Sequence, residues 1–96
     1  MDHGRVNRAI GHALRIRRKQ SGLTMSQIWD SLGWGVNTYK RTEQGTREIS
    51  VAEVLEVAEL LGIDSEEMLV DIARRLKTGD YPQPSPGRQL RRQLGM

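Results

Sequence analysis

Five glycines, at positions 22, 33, 45, 62 and 79, punctuate this chain, and each closes a short segment whose apolar residues recur at spacings of three and four. That spacing lines one side of an α-helix, whereas a half-buried strand needs alternation by two. The first segment, about Val6 to Gln20, puts Val6, Ala9, Ile10, Ala13 and Leu14 on one stripe and stops at Gly22. Thr24 and Gln27 have the spacing of a capping box, in which a hydroxyl and an amide side chain satisfy each other's backbone donors. They open a short second helix that carries Ile28 and Leu32 and ends at Gly33. A third helix is expected from about Val36 to Gln44, with Gly45 as its stop. Ser50 and Glu53 repeat the capping box before a fourth helix with Val51, Val54, Leu55, Ala58 and Leu61 inward. Asp64 caps a fifth, whose stripe is Met68, Leu69, Ile72, Ala73 and Leu76. The expectation is an all-α domain of five helices over residues 1–78. Residues 79–96 form a basic tail, with three alternating prolines that favour an extended path and with Leu90 and Leu94 set among arginines.

Several functional classes drop out at this point. Ninety-six residues suffice for one small core. Without cysteine there is no disulfide, no Cys-based zinc site and no thiol nucleophile, and a reducing, cytoplasmic setting is expected. No apolar run approaches a membrane span, and the N-terminus lacks the apolar core of a signal peptide. His3 and His12 have no partners at ligand spacing, so neither metal nor cofactor is expected. No Ser/His/Asp set, phosphate-binding glycine loop or carboxylate pair points to an enzyme.

The net charge of +3 conceals a strong segregation. Residues 1–20 hold six Lys/Arg against Asp2, residues 48–71 hold eight acids and no base, and residues 72–96 hold six bases against Asp80. Such a chain should fold with a basic and an acidic face, and the basic one suits a polyanion.

Two short helices joined around Gly33, the second of them basic, are the elements of a helix-turn-helix, at about residues 24–44. The stretch "LTMSQIWDSLGWGVNTYKRTEQGTREISVAEVLEVAELLGI" resembles the five-helix, lambda-repressor-like domain of the phage-repressor and Cro class, the XRE family. The resemblance runs without gaps from Ile10-Gly11 to about Leu69. It rests on Gly22-Leu23-Thr24, Leu32-Gly33, Glu43-x-Gly45 and Leu55-x-x-Ala58-x-x-Leu61-Gly62-Ile63.

The resemblance implies that the third helix enters the major groove of DNA. Tyr39 and Thr42 would then face the domain, while Val36, Asn37, Lys40, Arg41 and Gln44 would meet base edges. Asn suits adenine, Arg suits guanine and Val suits a thymine methyl. Thr38, Thr46, Arg47 and the amides at Thr24 and Met25 match places where the family meets phosphate. Arg18 and Glu43 match a pair that ties the first helix to the end of the recognition helix, for which a planar guanidinium is well shaped.

Several positions depart from the family pattern. Met25 stands where a phosphate-bonding Gln is common, Ile49 where Pro is usual, and Thr42 and Arg17 where apolar residues are usual. Trp29 is the sharpest departure, because it replaces Ala where the two helices of the motif approach, opposite Tyr39. Two rings there should overpack the contact, spread the helices or turn one ring outward as an anchor for a protein partner.

The functional expectation is a sequence-specific regulator, a repressor of phage or mobile-element type that binds a palindromic operator as a homodimer. The fifth helix, with Val70 and the Leu76 end, is the expected dimer element. The alternative is a helix-turn-helix fold used for protein binding, as an antitoxin or an antagonist of another regulator, a reading fed by Met25, Trp29 and Thr42.

Overall fold

Four of the five helices among the described residues begin where a side chain accepts from one of the first free amides. In the computed structural model, which describes residues 2–83, five helices follow one another: α1 (His3–Gln20), α2 (Met25–Leu32), α3 (Val36–Gln44), α4 (Val51–Leu60) and α5 (Ser65–Thr78). There is no strand among the described residues. Both capping boxes form in full. The Gln27 amide donates to Thr24 Oγ1 at 3.2 Å while Gln27 Oε1 accepts from the Thr24 amide at 2.8 Å. Ser50 and Glu53 make the same reciprocal pair at 3.1 and 3.0 Å. Asp64 caps α5 by accepting from the Glu67 amide. The first helix starts three residues before Val6 because Asp2 accepts from the Gly4 amide at 2.9 Å, adding a polar turn that an apolar pattern cannot reveal.

α1 is the central element, packing against both α3 and α5, while α2 packs on α3 and α4. Leu14, Ile28, Tyr39, Val57 and Met68 are fully buried and, with Ala9, Ala13 and Ala58, form the core. Contact between α1 and α3 is unusually close. A Cβ built on Gly11 would lie 2.3 Å from the Thr42 carbonyl oxygen and 2.7 Å from that of Glu43. Only a residue without a side chain lets the two backbones approach this far.

Two of the expected stripes need correction. On α4, Val51 is 64% exposed and Val57 takes an inward place instead. Leu69 and Ala73 of α5 are exposed, and the buried places beside Met68 and Ile72 belong to Asp71 and Arg75. These charges are buried as partners: Asp71 accepts from Arg17 Nε, from Arg75 Nε (each at 3.1 Å) and from Arg74 Nη2 at 3.2 Å. Arg17, which breaks the apolar pattern of α1, is therefore the α1 half of an ionic seam with α5. Burial opposes the charge on Asp71, but the bonds from Arg17 and Arg74 and the charge of Arg75 outweigh it and hold its pKa below the usual carboxylate value.

Packing also continues beyond Gly79. Tyr81 is buried, its hydroxyl accepts from Arg5 Nε at 2.9 Å, and the Arg8 guanidinium lies 5.9 Å from its ring centre. Arg5 also donates to the Leu76 carbonyl at 3.0 Å, so the end of α5 is laced to the start of α1. Packing on α1 thus reaches Tyr81, three residues beyond the boundary expected after residue 78. The remaining tail, with its leucines and arginines, lies outside the described residues.

Candidate nucleic-acid interface

α2 and α3 meet through a turn that Gly33 makes possible, with a left-handed φ of 71° after the end of α2. The turn contains Trp34, whose amide donates to the Trp29 carbonyl at 3.0 Å and whose ring packs against the core. Gly35 then caps α3 without any side-chain bond. On α3 the inner side is anchored by Tyr39 and Thr42, both fully buried, and the Thr42 hydroxyl donates back to the Thr38 carbonyl at 2.8 Å. Val36, Asn37, Lys40, Arg41 and Gln44 are all exposed on the other side. The five residues expected to read bases therefore share one solvent-facing surface.

A buried ion pair fixes the far end of α3. Arg18 Nε donates to Glu43 Oε2 at 2.6 Å and Arg18 Nη2 to Glu43 Oε1 at 3.1 Å, with the side chains only 10% and 5% exposed. The third donor, Nη1, reaches the Leu23 carbonyl at 2.9 Å, so one guanidinium holds α1, the α1–α2 loop and α3 together. Two parallel bonds resist rotation, and the Arg18 pKa is raised, chiefly by the bond to Glu43. Gly45 completes the contact, since a Cβ there would fall 2.6 Å from the Arg8 Cα.

The phosphate-facing residues divide. Thr24 spends its hydroxyl on the α2 cap and on Ser26, leaving the helix end rather than the side chain to the outside. Met25 is half-buried, Thr38 is half-buried and Thr46 is exposed. Arg47 has partners within the domain. Its guanidinium sits 5.2 Å from the Trp34 ring centre, donates to Thr42 Oγ1 at 3.2 Å and bonds Glu53 Oε2 at 2.9 Å. It is thus turned into the domain, where it clasps the α3–α4 loop to the helix-turn-helix turn. The bond it makes to Thr42 also explains a hydroxyl at a position where an apolar side chain was expected.

The two-ring problem is solved by partition. Tyr39 takes the core position, 6.1 Å from the tilted Trp34 ring, and Trp29 is half-buried at the edge of the core. Trp29 is therefore neither fully enclosed nor a free-standing anchor. Trp34 was not singled out in the sequence, although a tryptophan between two glycines in a turn is itself a signal of a packed turn. The Tyr39 hydroxyl ends up buried beside the Arg18–Glu43 pair, close to both but with no hydrogen bond of full geometry. Burial, followed by the Glu43 charge, pushes its pKa up, so it is neutral throughout the working range. An unsatisfied buried hydroxyl costs about 1–3 kcal/mol. Tyr39→Phe should accordingly leave stability unchanged or raise it by about 1 kcal/mol, read as the urea midpoint of unfolding. A loss of comparable size would mean that the hydroxyl is bonded in solution.

The remaining places are plain. Val70 is 60% exposed on α5, whereas Leu76 is half-buried against the core. His3 bonds Glu48 at 2.6 Å and His12 lies elsewhere on α1, half-buried near Arg75. No helix among the described residues is long and apolar enough to cross a membrane.

A family model described as a helix-turn-helix domain, one of the XRE-like group, matches residues 9–70. No curated protein matches the chain. The matched segment takes in the second half of the α1 core stripe, the whole α2–turn–α3 unit, α4 and the first turns of α5. With more than half of its length matched and five helices in the order described, this chain belongs to the helix-turn-helix domain family.

Proposed function

We propose that this protein is a sequence-specific DNA-binding regulator, a repressor of phage or mobile-element type, that places α3 in the major groove of a palindromic operator and binds as a homodimer. The observation that carries this reading is the outer face of α3. Val36, Asn37, Lys40, Arg41 and Gln44 are exposed together on a helix whose other side is locked to the domain by Tyr39, Thr42 and the Arg18–Glu43 pair. A surface that must read base edges needs donors of the right type held on a rigid support, and these side chains supply them. Exposed amides at the start of α2, with Thr38 and Thr46, fit the flanking phosphates. Arg47 serves the fold in this scheme instead of the backbone of DNA.

The dimer reading is supported by α5, where Leu69 and Val70 are neighbouring apolar side chains at 42% and 60% exposure. One domain touches few base pairs, and a two-fold pair of domains doubles the site with half-sites about one helical turn apart. Selection of genomic fragments, the chain's own upstream region included, followed by titration at several salt concentrations, tests the proposal. The expected result is a preferred fragment with inverted half-sites, bound well above a salt-sensitive background. Uniform weak binding to every fragment would move the protein-binding alternative ahead.

A further inference from the structure

We propose that Arg15 and Lys19, on α1, clamp the DNA backbone beside the groove that α3 enters. This extends the DNA-binding reading above and rests on it. A cleft of about 530 Å³ runs between α1 and the helix-turn-helix unit, lined by Arg15, Arg18, Lys19, Met25, Lys40, Glu43 and Gln44. Arg18 and Glu43 at its floor neutralise each other and are nearly enclosed. What the cleft offers a ligand is therefore three cations. Arg15, Lys19 and Lys40 are exposed and join none of the ion pairs among the described residues.

Arg15 and Lys19 are four residues apart and so lie one turn apart on the same side of α1. Lys40 faces them from α3 across the cleft, and Met25 contributes an apolar wall that neither donates nor accepts well. Three like charges held around one cleft repel each other, and folding leaves them without counter-charges. A row of phosphodiesters fits this arrangement, because it brings one negative charge to each cation in turn. With Lys40 at a base edge or the groove lip, the α1 pair falls over the strand that borders the groove. A backbone contact adds affinity without adding preference for a sequence.

The test uses the full chain, the preferred duplex and a short mixed-sequence duplex, with binding followed by fluorescence anisotropy over a range of salt. In Arg15→Gln/Lys19→Gln the slope of log K against log salt should fall by about two on both duplexes. Their ratio of affinities should stay at the wild-type value. Arg15→Lys/Lys19→Arg should keep the wild-type slope, and the melting temperatures of all variants should agree, since neither side chain is bonded within the domain. An unchanged slope in the glutamine variant, with wild-type protein still selective, would overturn the α1 clamp and leave the α3 reading standing. Loss of the ratio would also overturn it, by showing that the pair acts on sequence. Absence of binding by wild-type protein to either duplex would remove the DNA reading and the clamp together.

Discussion

Replacing Gly11 by alanine is expected to destabilise the domain by about 2–3 kcal/mol in urea denaturation, despite alanine's better helix propensity. The new methyl group would sit 2.3 Å from the Thr42 carbonyl oxygen and 2.7 Å from that of Glu43. Both obstacles are backbone atoms of α3, so no side chain can swing aside. Relief requires α1 and α3 to separate, which loosens the Arg18–Glu43 bonds and the burial of Tyr39 at the same time. Gly22→Ala is the natural comparison. Gly22, unlike the mid-helix Gly11, lies just past the end of α1 with a φ of 72°, and nothing lies within 4 Å of its built Cβ. That variant should lose only the backbone term, about 1 kcal/mol, and keep the recognition helix in place. Equal losses from the two substitutions would show that the α1–α3 approach is less tight than described.

The second large effect concerns the seam between α1 and α5. Asp71→Asn preserves shape but removes the charge that Arg17 and Arg75 share, and Arg75 is itself only 8% exposed at its side chain. Breaking a buried pair from one side costs about 3–5 kcal/mol, and the partial exposure of Arg17 puts this case near the lower end. A domain of this size has on the order of 5–10 kcal/mol in total, so the variant should keep about 2–7 kcal/mol and unfold at a clearly lower urea midpoint than wild type.

The pH dependence follows from the same groups. Asp71 and Glu53 both have pKa values below the ordinary range in the folded state. Depressed carboxylates stabilise fully above their unfolded pKa, and that stabilisation is lost as pH falls through the folded one. Burial, and then the Arg75 charge, lowers the pKa of His12 from 6.5, so this group resists protonation in the folded state. Urea midpoints should thus fall steeply only below about pH 4; near pH 6.5 the loss from His12 is opposed by His3, whose pKa is raised by its bond to Glu48. In Asp71→Asn the steep limb should be shallower.

Much of the fold was legible because its signals are local. A capping box is spelled out within four residues, and a glycine stop within one, so all five helices and most of their ends could be read along the chain. The inner and outer sides of α3 were legible for a different reason: the resemblance supplied the orientation, and Tyr39 and Thr42 lie where it put them. What escaped were features made by residues far apart in sequence. Asp71 counts along the chain only as one acid of the 48–71 run until Arg17 is brought opposite it. The bonds of Arg47 to Thr42 and Glu53, beside Trp34, show only once α3 and α4 are packed. Tyr81 read as tail because its partners, Arg5 and Arg8, are at the other end of the chain. On α4, apolar residues occur at so many positions that period alone could not choose between Val51 and Val57.

The measurement closest to the central claim compares wild-type protein with Lys40→Ala and Arg41→Ala on the preferred duplex and on a mixed-sequence duplex at one salt concentration. Both side chains are exposed on α3, so stability should be unchanged while selectivity falls. A lost base contact is worth about 1–3 kcal/mol, which is a drop of about 5- to 150-fold in the ratio of the two affinities. Wild-type selectivity retained in both variants would contradict the account, because the outer face of α3 would then not be what reads the DNA.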